Sequence, residues 1–309
     1  MKKTILTISI LLFIANIGIG QINPATNQYL LNPMSINPAY AGESGALNIS
    51  TFYGRQWVGV DGAPTTLAFS ADAPFADRKL GLGLMIVSDK IGVTKENQLA
   101  TNYSYKIELE ESILSFGLGA NVIMTNTAFS DLVVLDPGDE IYLTDSKVYM
   151  VANFSFGMYF SNKNYFAGFS VPKLLNYNFD YTKNKYVIDN SIRNYSYLFN
   201  TGYIYDISEK FKIFPSVLLR LSSAPSNSKF QYDINTHFCY LNKFWIGGSF
   251  RNKRSLATMF QVQPNDQLRI AYTYNIELSQ LGKYSKGSHE VMLRYIFRFN
   301  VDALNPLIF

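Results

Sequence analysis

The sequence is short of charge, of cysteine and, after residue 20, of long uncharged runs. Charged residues make up only 16% of the chain, against roughly 25% in a typical soluble domain. A formal net charge of +4 provides no phosphate-binding footprint, so we expect no nucleic-acid partner. The single cysteine, Cys239, excludes an internal disulfide. No run after residue 20 is long enough for a membrane-spanning helix.

Histidine is also scarce, and the sequence offers few groups for chemistry. His237 and His289 lie far apart, and neither has a carboxylate or cysteine cluster at metal-ligand spacing. We therefore predict no catalytic residue, no cofactor, no metal site and no enzymatic activity. A hydrolase that uses His237 with a serine is the least favoured alternative. The sequence contains two closely spaced glycine pairs, Gly81/Gly83 and Gly117/Gly119. Neither pair is followed by the Lys-Ser/Thr of a phosphate-binding loop. The pairs instead favour curvature of a β-wall or close approach of another backbone.

Aromatic residues are abundant, with 23 Phe and 22 Tyr. Hydrophobic residues make up 48% of the chain, which excludes a disordered protein. The mean hydropathy of +0.01 is high for a soluble protein and far too low for a bundle of membrane helices. The composition therefore leaves two classes: an unusually apolar β-sandwich, or a membrane protein that does not use helices.

The N-terminus is typical of a secretory signal peptide. Lys2 and Lys3 precede an uncharged run over 4–20 that ends in small residues. We predict a signal peptide over 1–20 that is cleaved before Gln21. A transmembrane helix is the alternative, but the run is short for one and contains several polar residues. Because position 21 is not cysteine, a lipoprotein is not expected.

The strongest signal in the sequence is an alternation with a period of two. Over 99–109 and 230–240, apolar or aromatic residues alternate with polar ones, which is typical of antiparallel strands that face two environments. Several segments reach ten residues, about the length that crosses a bilayer as a tilted strand. About fourteen strands are predicted, at 47–57, 65–72, 80–88, 98–109, 112–125, 148–160, 164–171, 194–206, 210–221, 229–241, 243–251, 255–263, 267–277 and 288–300.

Short and long connections alternate along the chain. The turn at 110–111 is tight, whereas 89–97, 126–147, 172–193 and 278–287 are longer. Tight periplasmic turns and long outer loops are typical of a transmembrane β-barrel, which we predict over 47–300, with a tail at 301–309. A soluble sandwich is the alternative. In a barrel the following charged residues project into the lumen: Lys106, Glu108, Arg220, Asp233, Arg251, Arg269, Glu277, Arg294 and Arg298.

The segment 21–46 does not alternate. Three Asn-Pro pairs disfavour a helix and predict an extended or turning chain. Its apolar residues suggest that it packs against another surface. Because fourteen strands enclose more space than the wall side chains fill, we expect this segment to plug the lumen. A loose periplasmic lead-in is the alternative.

Three motifs, in their order and spacing along the chain, resemble the PorP/SprF family of Bacteroidetes outer-membrane proteins. They are Asn37-Pro38-Ala39-Tyr40-Ala41-Gly42, Gln56-Trp57-Val58-Gly59-Val60-Asp61-Gly62-Ala63-Pro64 and Asp89-Lys90-Ile91-Gly92. The resemblance is dense over 28–125, and the family pattern also fits 287–293. Asn23-Pro24 departs from the acidic-Pro start that is frequent in the family. Motif residues that could contact a partner are Asn37, Pro38, Ala39, Tyr40, Gly42, Gln56, Trp57, Gly59, Asp61, Gly62, Pro64, Asp89, Lys90 and Gly92.

The resemblance implies an outer-membrane barrel associated with type IX secretion and gliding motility. Its expected partners are outer-membrane lipid, periplasmic subunits of the secretion machinery, and a secreted adhesin or other cargo protein. The leading functional prediction is assistance in the export or surface anchoring of such a protein. The alternative is a passive channel or a hydrophobic-solute transporter.

The long loops carry many apolar residues, which suggests a protein partner. The other interpretation is that they fold inward and pack in the barrel mouth. These loop residues are Phe129, Leu132, Val133, Val134, Leu135, Leu174, Leu175, Tyr177, Phe179 and Tyr181.

Overall fold

The computed structural model describes residues 26–75, 78–132, 144–180, 182–183, 185–190, 194–222, 230–252 and 254–297. Several predictions lie outside these residues. They are the signal peptide at 1–20, the start of the segment 21–46, the apolar residues 133–135 and Tyr181, Arg298, and the tail at 301–309. Within the described ranges, no helix is long and apolar enough to cross a membrane.

The described chain forms a closed barrel of fourteen antiparallel strands, as the alternation predicts. Each strand pairs with the next along the chain, and β1 pairs with β14 to close the wall. The strands are β1 (Leu47–Arg55), β2 (Thr65–Phe75), β3 (Leu80–Ile91), β4 (Thr94–Leu109), β5 (Ser112–Thr127), β6 (Tyr149–Asn162), β7 (Tyr165–Val171), β8 (Ser196–Tyr203), β9 (Phe211–Ser222), β10 (Phe230–Tyr240), β11 (Phe244–Arg251), β12 (Ser255–Val262), β13 (Leu268–Glu277) and β14 (Ser288–Phe297).

One predicted connection is wrong. The expected loop at 89–97 is a tight hairpin, because β3 continues to Ile91 and β4 begins at Thr94. Polar residues occupy both faces of these strand ends, so hydrophobic alternation stops before the ladder does. The rim that carries 126–147 and 172–193 is called the outer rim below, and the opposite rim the periplasmic rim.

The two faces of the wall differ as a membrane barrel requires. Leu67 and Leu118, on the lipid-facing side of the wall, are 58% and 61% exposed. Phe52, on the lumen-facing side, is 3% exposed. Of the nine charged residues predicted to face the lumen, Arg298 is not described and Glu108 is exposed at the periplasmic rim. The others lie on the buried or half-buried inner face: Lys106, Arg220, Asp233, Arg251, Arg269, Glu277 and Arg294.

The N-terminal segment lies inside the barrel. Instead of running extended, it makes three short 3-10 turns: Gln28–Leu30, Pro33–Ser35 and Pro38–Tyr40. Proline at the first position of two turns is compatible with a helical start, and the Asn37 side chain accepts a hydrogen bond from the backbone N–H of Ala39. The two Asn-Pro pairs within the described residues, Asn32-Pro33 and Asn37-Pro38, therefore start turns.

Candidate functional site

The inner wall of β3, β5 and β6 carries glycines against which the N-terminal segment packs. A Cβ added to Gly81 would lie 1.9 Å from Ala41 O, and one added to Gly117 would lie 2.1 Å from Ala39 N. At Gly157 the added Cβ would lie 2.0 Å from Asn37 Oδ1. No side chain fits at these distances. These three glycines are called the glycine seat, and they supply the close backbone approach that the sequence predicts at Gly81 and Gly117.

Serine hydroxyls of the wall fix the backbone of the segment in this seat. Ser104 Oγ donates to the carbonyl of Ala41 at 2.7 Å, and Ser170 Oγ donates to the carbonyl of Ile36 at 2.6 Å. Both bonds satisfy carbonyls that burial removes from water, and leaving such a carbonyl unpaired costs about 1–3 kcal/mol. The segment is therefore held by specific contacts.

A second set of contacts, the Asp233 cluster, holds the start of the segment. Asp233 is fully buried and pairs with Arg220 at 3.0 Å and with Arg251 at 2.9 Å. The hydroxyl of Tyr29 donates to Asp233 Oδ2 at 3.1 Å. Burial raises the pKa of Tyr29, which keeps its hydroxyl protonated as this bond requires. The lumen charges are thus used to bind the barrel's own N-terminal segment.

The contacts of Asn27 extend this cluster to the strand that closes the barrel. The backbone N–H of Asn27 donates to Glu290 Oε2 at 3.1 Å, and its side-chain amide donates to Asn275 Oδ1 at 2.6 Å. Residues near the start of the described chain therefore bind β13 and β14, whereas Asn37 binds β6 through its amide and the carbonyl of Met158 at 2.9 Å. The segment crosses the lumen from one side of the wall to the other.

The first motif, residues 37–42, lies inside the barrel. Asn37 is 2% exposed, Ala39 is fully buried, and Pro38 and Gly42 are also buried. The ring of Tyr40 packs at a tilt of 57° against the ring of Tyr159, with ring centroids 4.5 Å apart. A partner could reach these residues only if the segment left its seat, so their contacts in this structure are with the wall.

The second and third motifs meet at the outer rim. The backbone N–H of Trp57 donates to Ser288 Oγ at 3.1 Å, and its indole N–H donates to Glu277 Oε2 at 3.2 Å. Gly92 N–H donates to the carbonyl of Gly62 at 2.8 Å. Both glycines have positive φ, 69° at Gly62 and 58° at Gly92, a backbone conformation that favours glycine. The segments 56–64, 89–93 and 285–288 thus form one surface, called the outer-rim cluster.

The outer-rim cluster divides its motif residues into supporting and accessible ones. Gln56 and Pro64 are buried, and Asp89 accepts a hydrogen bond from Thr66. Trp57 is half-buried. The exposed residues of these motifs are Gly59, Asp61, Gly62, Lys90, Ile91 and Gly92.

The comparisons with known proteins agree with this architecture. A family model described as type IX secretion system membrane protein PorP/SprF matches residues 19–295. The chain belongs to the PorP/SprF family. The resemblance that the motifs indicate is confirmed, and this PorP/SprF protein is an outer-membrane β-barrel associated with type IX secretion. No curated protein matches the chain.

Solved structures similar to the PorP/SprF barrel include two outer-membrane barrels. The CymD monoaromatic hydrocarbon channel is 10% identical, with 92% of this chain and 96% of that chain covered and a TM-score of 0.52. The Ralstonia pickettii toluene transporter TbuX is 9% identical, with 86% and 93% covered and a TM-score of 0.51. At this identity the likeness shows the fold alone.

Part of the loop 172–193 packs toward the PorP/SprF barrel. The side chain of Asn153, on the inner wall, accepts hydrogen bonds from the backbone N–H groups of Leu174 and Leu175 at 3.0 and 3.1 Å. In an outer hairpin (Tyr177–Asp180 with Lys185–Ile188), Phe179 packs edge-on against Tyr149, with ring centroids 5.3 Å apart. The inward-folding interpretation therefore fits these residues. Leu132 remains exposed at this rim.

Two features of the site escaped the sequence analysis. The alternation places Asp233, Arg220 and Arg251 on the inner face but gives no indication that Tyr29 joins them. The sequence likewise does not indicate the contact of Trp57 with Glu277, because the end of β1 and the end of β13 come close only when β14 pairs with β1 and closes the barrel. Both contacts join residues about two hundred positions apart, so no local pattern reports them.

The described residues contain no group of three or more metal-ligating side chains. His237 makes no hydrogen bond to a described serine; its Nε2 is buried without a hydrogen-bond partner among the described residues. A Cβ on Gly247 would lie 2.1 Å from His237 Cδ2, so this ring lies directly against the backbone of Gly247.

Proposed function

We propose that this barrel acts as a closed docking platform in type IX secretion. In this proposal it assists the export or surface anchoring of a secreted protein, such as an adhesin, which binds at the outer-rim cluster. Subunits of the secretion machinery bind at the periplasmic rim. The proposal is carried by the lumen, which the N-terminal segment occupies. The family to which the chain belongs links this closed barrel to type IX secretion.

The occupied lumen argues against the alternative of a passive channel or hydrophobic-solute transporter. The glycine seat and the Asp233 cluster hold the segment at both sides of the wall. A conduit would require both sets of contacts to break. We also propose a non-enzymatic role, because His237, the strongest candidate for acid–base chemistry, has no hydrogen-bonded nucleophile among the described residues.

Site-specific photo-crosslinking tests the two docking surfaces. A photoreactive amino acid replaces Val60 in the outer-rim cluster, and in a second strain it replaces Ile207 at the periplasmic rim; Val60 is half-buried and Ile207 is 57% exposed. We expect a secreted cargo protein crosslinked from Val60 and a machinery subunit crosslinked from Ile207. Leu118, on the lipid-facing wall, is the matched control and should crosslink to neither.

Conductance in planar bilayers separates the platform from the channel. The platform predicts a silent wild-type barrel and cargo crosslinks at Val60. Steady wild-type conductance, together with a Val60 position that crosslinks to no secreted protein, would refute the proposal and favour the channel.

A further inference from the structure

A row of three cations crosses four neighbouring strands at the outer rim. Arg55 on β1 is directly opposite Thr65 on β2, and Thr65 is directly opposite Lys90 on β3. Lys90 is in turn directly opposite Lys95 on β4. Directly opposed residues share one face of a sheet, and neighbouring strands are about 4.8 Å apart. The backbone positions of Arg55, Lys90 and Lys95 therefore lie within about 15 Å of one another on one face, and these three residues are called the cation row.

The cation row lies on the lipid-facing side of the wall. Residues an even number of positions apart on a strand point to the same side. Ile86 lies four residues before Lys90 and is 46% exposed, and Leu99 lies four residues after Lys95 and is 44% exposed. All three cations are exposed as well. The row therefore lies at the outer-rim end of the apolar wall.

The lipid-facing surface changes from apolar to polar to charged toward this rim. Phe69, Ile86 and Leu99 are directly opposed across β2, β3 and β4 and are called the apolar row. Ser88 and Asn97 follow on the same face and are called the polar row; Ser88 Oγ donates to Asn97 Oδ1 at 2.9 Å. The cation row is the next level. A membrane lipid changes in the same order, from its acyl chains through their polar linkages to the head group.

Among the described residues, no acidic side chain forms an ion pair with the cation row. Asp89 and Glu96, its neighbours in the sequence, point to the opposite face of the wall, where Asp89 accepts a hydrogen bond from Thr66. Lys90 and Lys95 are both exposed, and neither ammonium group bonds to another described side chain. Both long side chains can therefore reach one negatively charged ligand in front of the wall.

The charges are confined to one part of the barrel's circumference. The outermost described lipid-facing residues of β6, β9, β11 and β12 are apolar and exposed: Met150, Leu221, Phe250 and Leu256. A belt of charge around the whole rim would suit any part of the bilayer. Charge on β1, β3 and β4 alone instead indicates a single binding site.

We propose that the cation row and the wall beneath it bind lipopolysaccharide, the phosphorylated glycolipid of the outer leaflet, through its lipid A anchor. The phosphates of lipid A accept hydrogen bonds from the cation row, because guanidinium and ammonium groups form strong charge-assisted bonds with phosphate oxygens. The sugar and its acyl linkages lie at the polar row, and the acyl chains lie against the apolar row. Only Lys90 is shared with the outer-rim cluster, and the inference does not depend on the docking of cargo there.

Native mass spectrometry of the detergent-purified barrel, titrated with lipid A, measures the binding. The control ligand is the same lipid A after a phosphatase has removed its phosphates, because it keeps the sugars and the acyl chains. We expect saturable binding of lipid A and about tenfold weaker binding of the dephosphorylated form. Inorganic phosphate, the soluble source of the same chemistry, should not compete with lipid A at millimolar concentration.

Variants of the cation row test the assignment against a matched set of surface charges. Arg55→Gln, Lys90→Gln and Lys95→Gln should each weaken binding of lipid A about fivefold, and the triple variant about a hundredfold. The control removes three exposed lysines of the loop 172–193 and should bind lipid A as the wild type does: Lys173→Gln, Lys183→Gln and Lys185→Gln. If the triple variant does not fold, as judged by heat-modifiable migration on gels, the single variants carry the test. Lys90→Arg with Lys95→Arg retains the charge and should retain binding.

The outcomes separate this site from other uses of the same charges. Equal binding of lipid A and its dephosphorylated form, or wild-type affinity in the glutamine variants, would overturn the proposal. Competition by inorganic phosphate would assign the cation row to a soluble anion and would also overturn it. Glutamine variants that keep lipid A but lose the cargo crosslink from Val60 would assign the charges to a protein partner instead. Loss of lipid A with an intact cargo crosslink would support the lipid site independently of cargo docking.

Discussion

Adding a side chain to the glycine seat should open the lumen. We take Gly117→Val as the perturbation, because the Cβ at this position would lie 2.1 Å from Ala39 N and 2.4 Å from Pro38 C. Non-bonded heavy atoms are normally about 3.5–4.0 Å apart, so the segment must move by more than about 1 Å. Ala39 is fully buried and its N–H is already bonded to Asn37 Oδ1, so the segment has no free space to move into.

The size of the effect follows from the packing. Overfilling a packed interior costs about 1–3 kcal/mol, which shifts the balance between seated and unseated segment by about 5- to 150-fold. Gly81→Val acts on the same segment from β3, on the far side of β4, where the Cβ would lie 1.9 Å from Ala41 O. Because both substitutions displace one segment, the sum of the two penalties, about 2–6 kcal/mol, is an upper bound for the double variant, which should still exceed either single variant.

Single-barrel conductance is the assay. We expect a silent wild type, intermittent openings for Gly117→Val and long openings for the double variant. Gly248→Ala is the matched control, because its Cβ would meet no atom closer than 3.7 Å. Deletion of 23–40 should give the fully open lumen. Variants that fold and stay silent, or a deletion that leaves conductance unchanged, would refute the idea that the segment closes the barrel.

The remaining predictions concern the Asp233 cluster and the N-terminus. Asp233→Asn removes the carboxylate between Arg220 and Arg251 and should lower the free energy of unfolding by about 3–5 kcal/mol. The assay is the temperature at which the barrel loses its heat-modifiable migration on gels, which should fall. Asp206→Asn, in an exposed ion pair, is the control and should change nothing measurable. Tyr29→Phe removes only one donor and should cost about 1 kcal/mol; a loss as large as that of Asp233→Asn would contradict this reasoning. Mass spectrometry of the mature protein should place its first residue at Gln21, and an intact residue 1 would refute the signal peptide.

The wall of this barrel could be predicted from the sequence because each strand reports its two faces locally. The alternation over 99–109 and 230–240 is visible without knowledge of any partner strand, and both segments are strands with the expected faces. The prediction of a long loop at 89–97 was wrong. Beyond the membrane both faces of a strand contact water, so the alternation of apolar and polar residues disappears. Hydrophobic alternation therefore overestimates the length of the loops at the outer rim.

The contents of the lumen were harder to predict. Asn-Pro pairs indicate that 21–46 is not a helix or a strand of the wall, yet extended and turning conformations are equally compatible with proline. The contacts that decide its place join Tyr29 to Asp233 and Asn27 to Glu290, across most of the chain. Glycines at 81 and 117 were the one local sign that something approaches the wall closely, and they did not reveal what it was.

The way the N-terminal segment crosses the lumen has a consequence for assembly. Its seat belongs to β3, β5 and β6, which are early in the chain, whereas Asn27 binds Glu290 on β14, the strand that completes the wall by pairing with β1. The segment can therefore dock on the first half of the sheet while the sheet is still open, and the late strands then wrap around it. Contacts between distant parts of a chain form slowly, and a segment that binds both the first and the last strands shortens the search by bringing the two edges together. We expect the seated segment to serve as a template for closing the barrel.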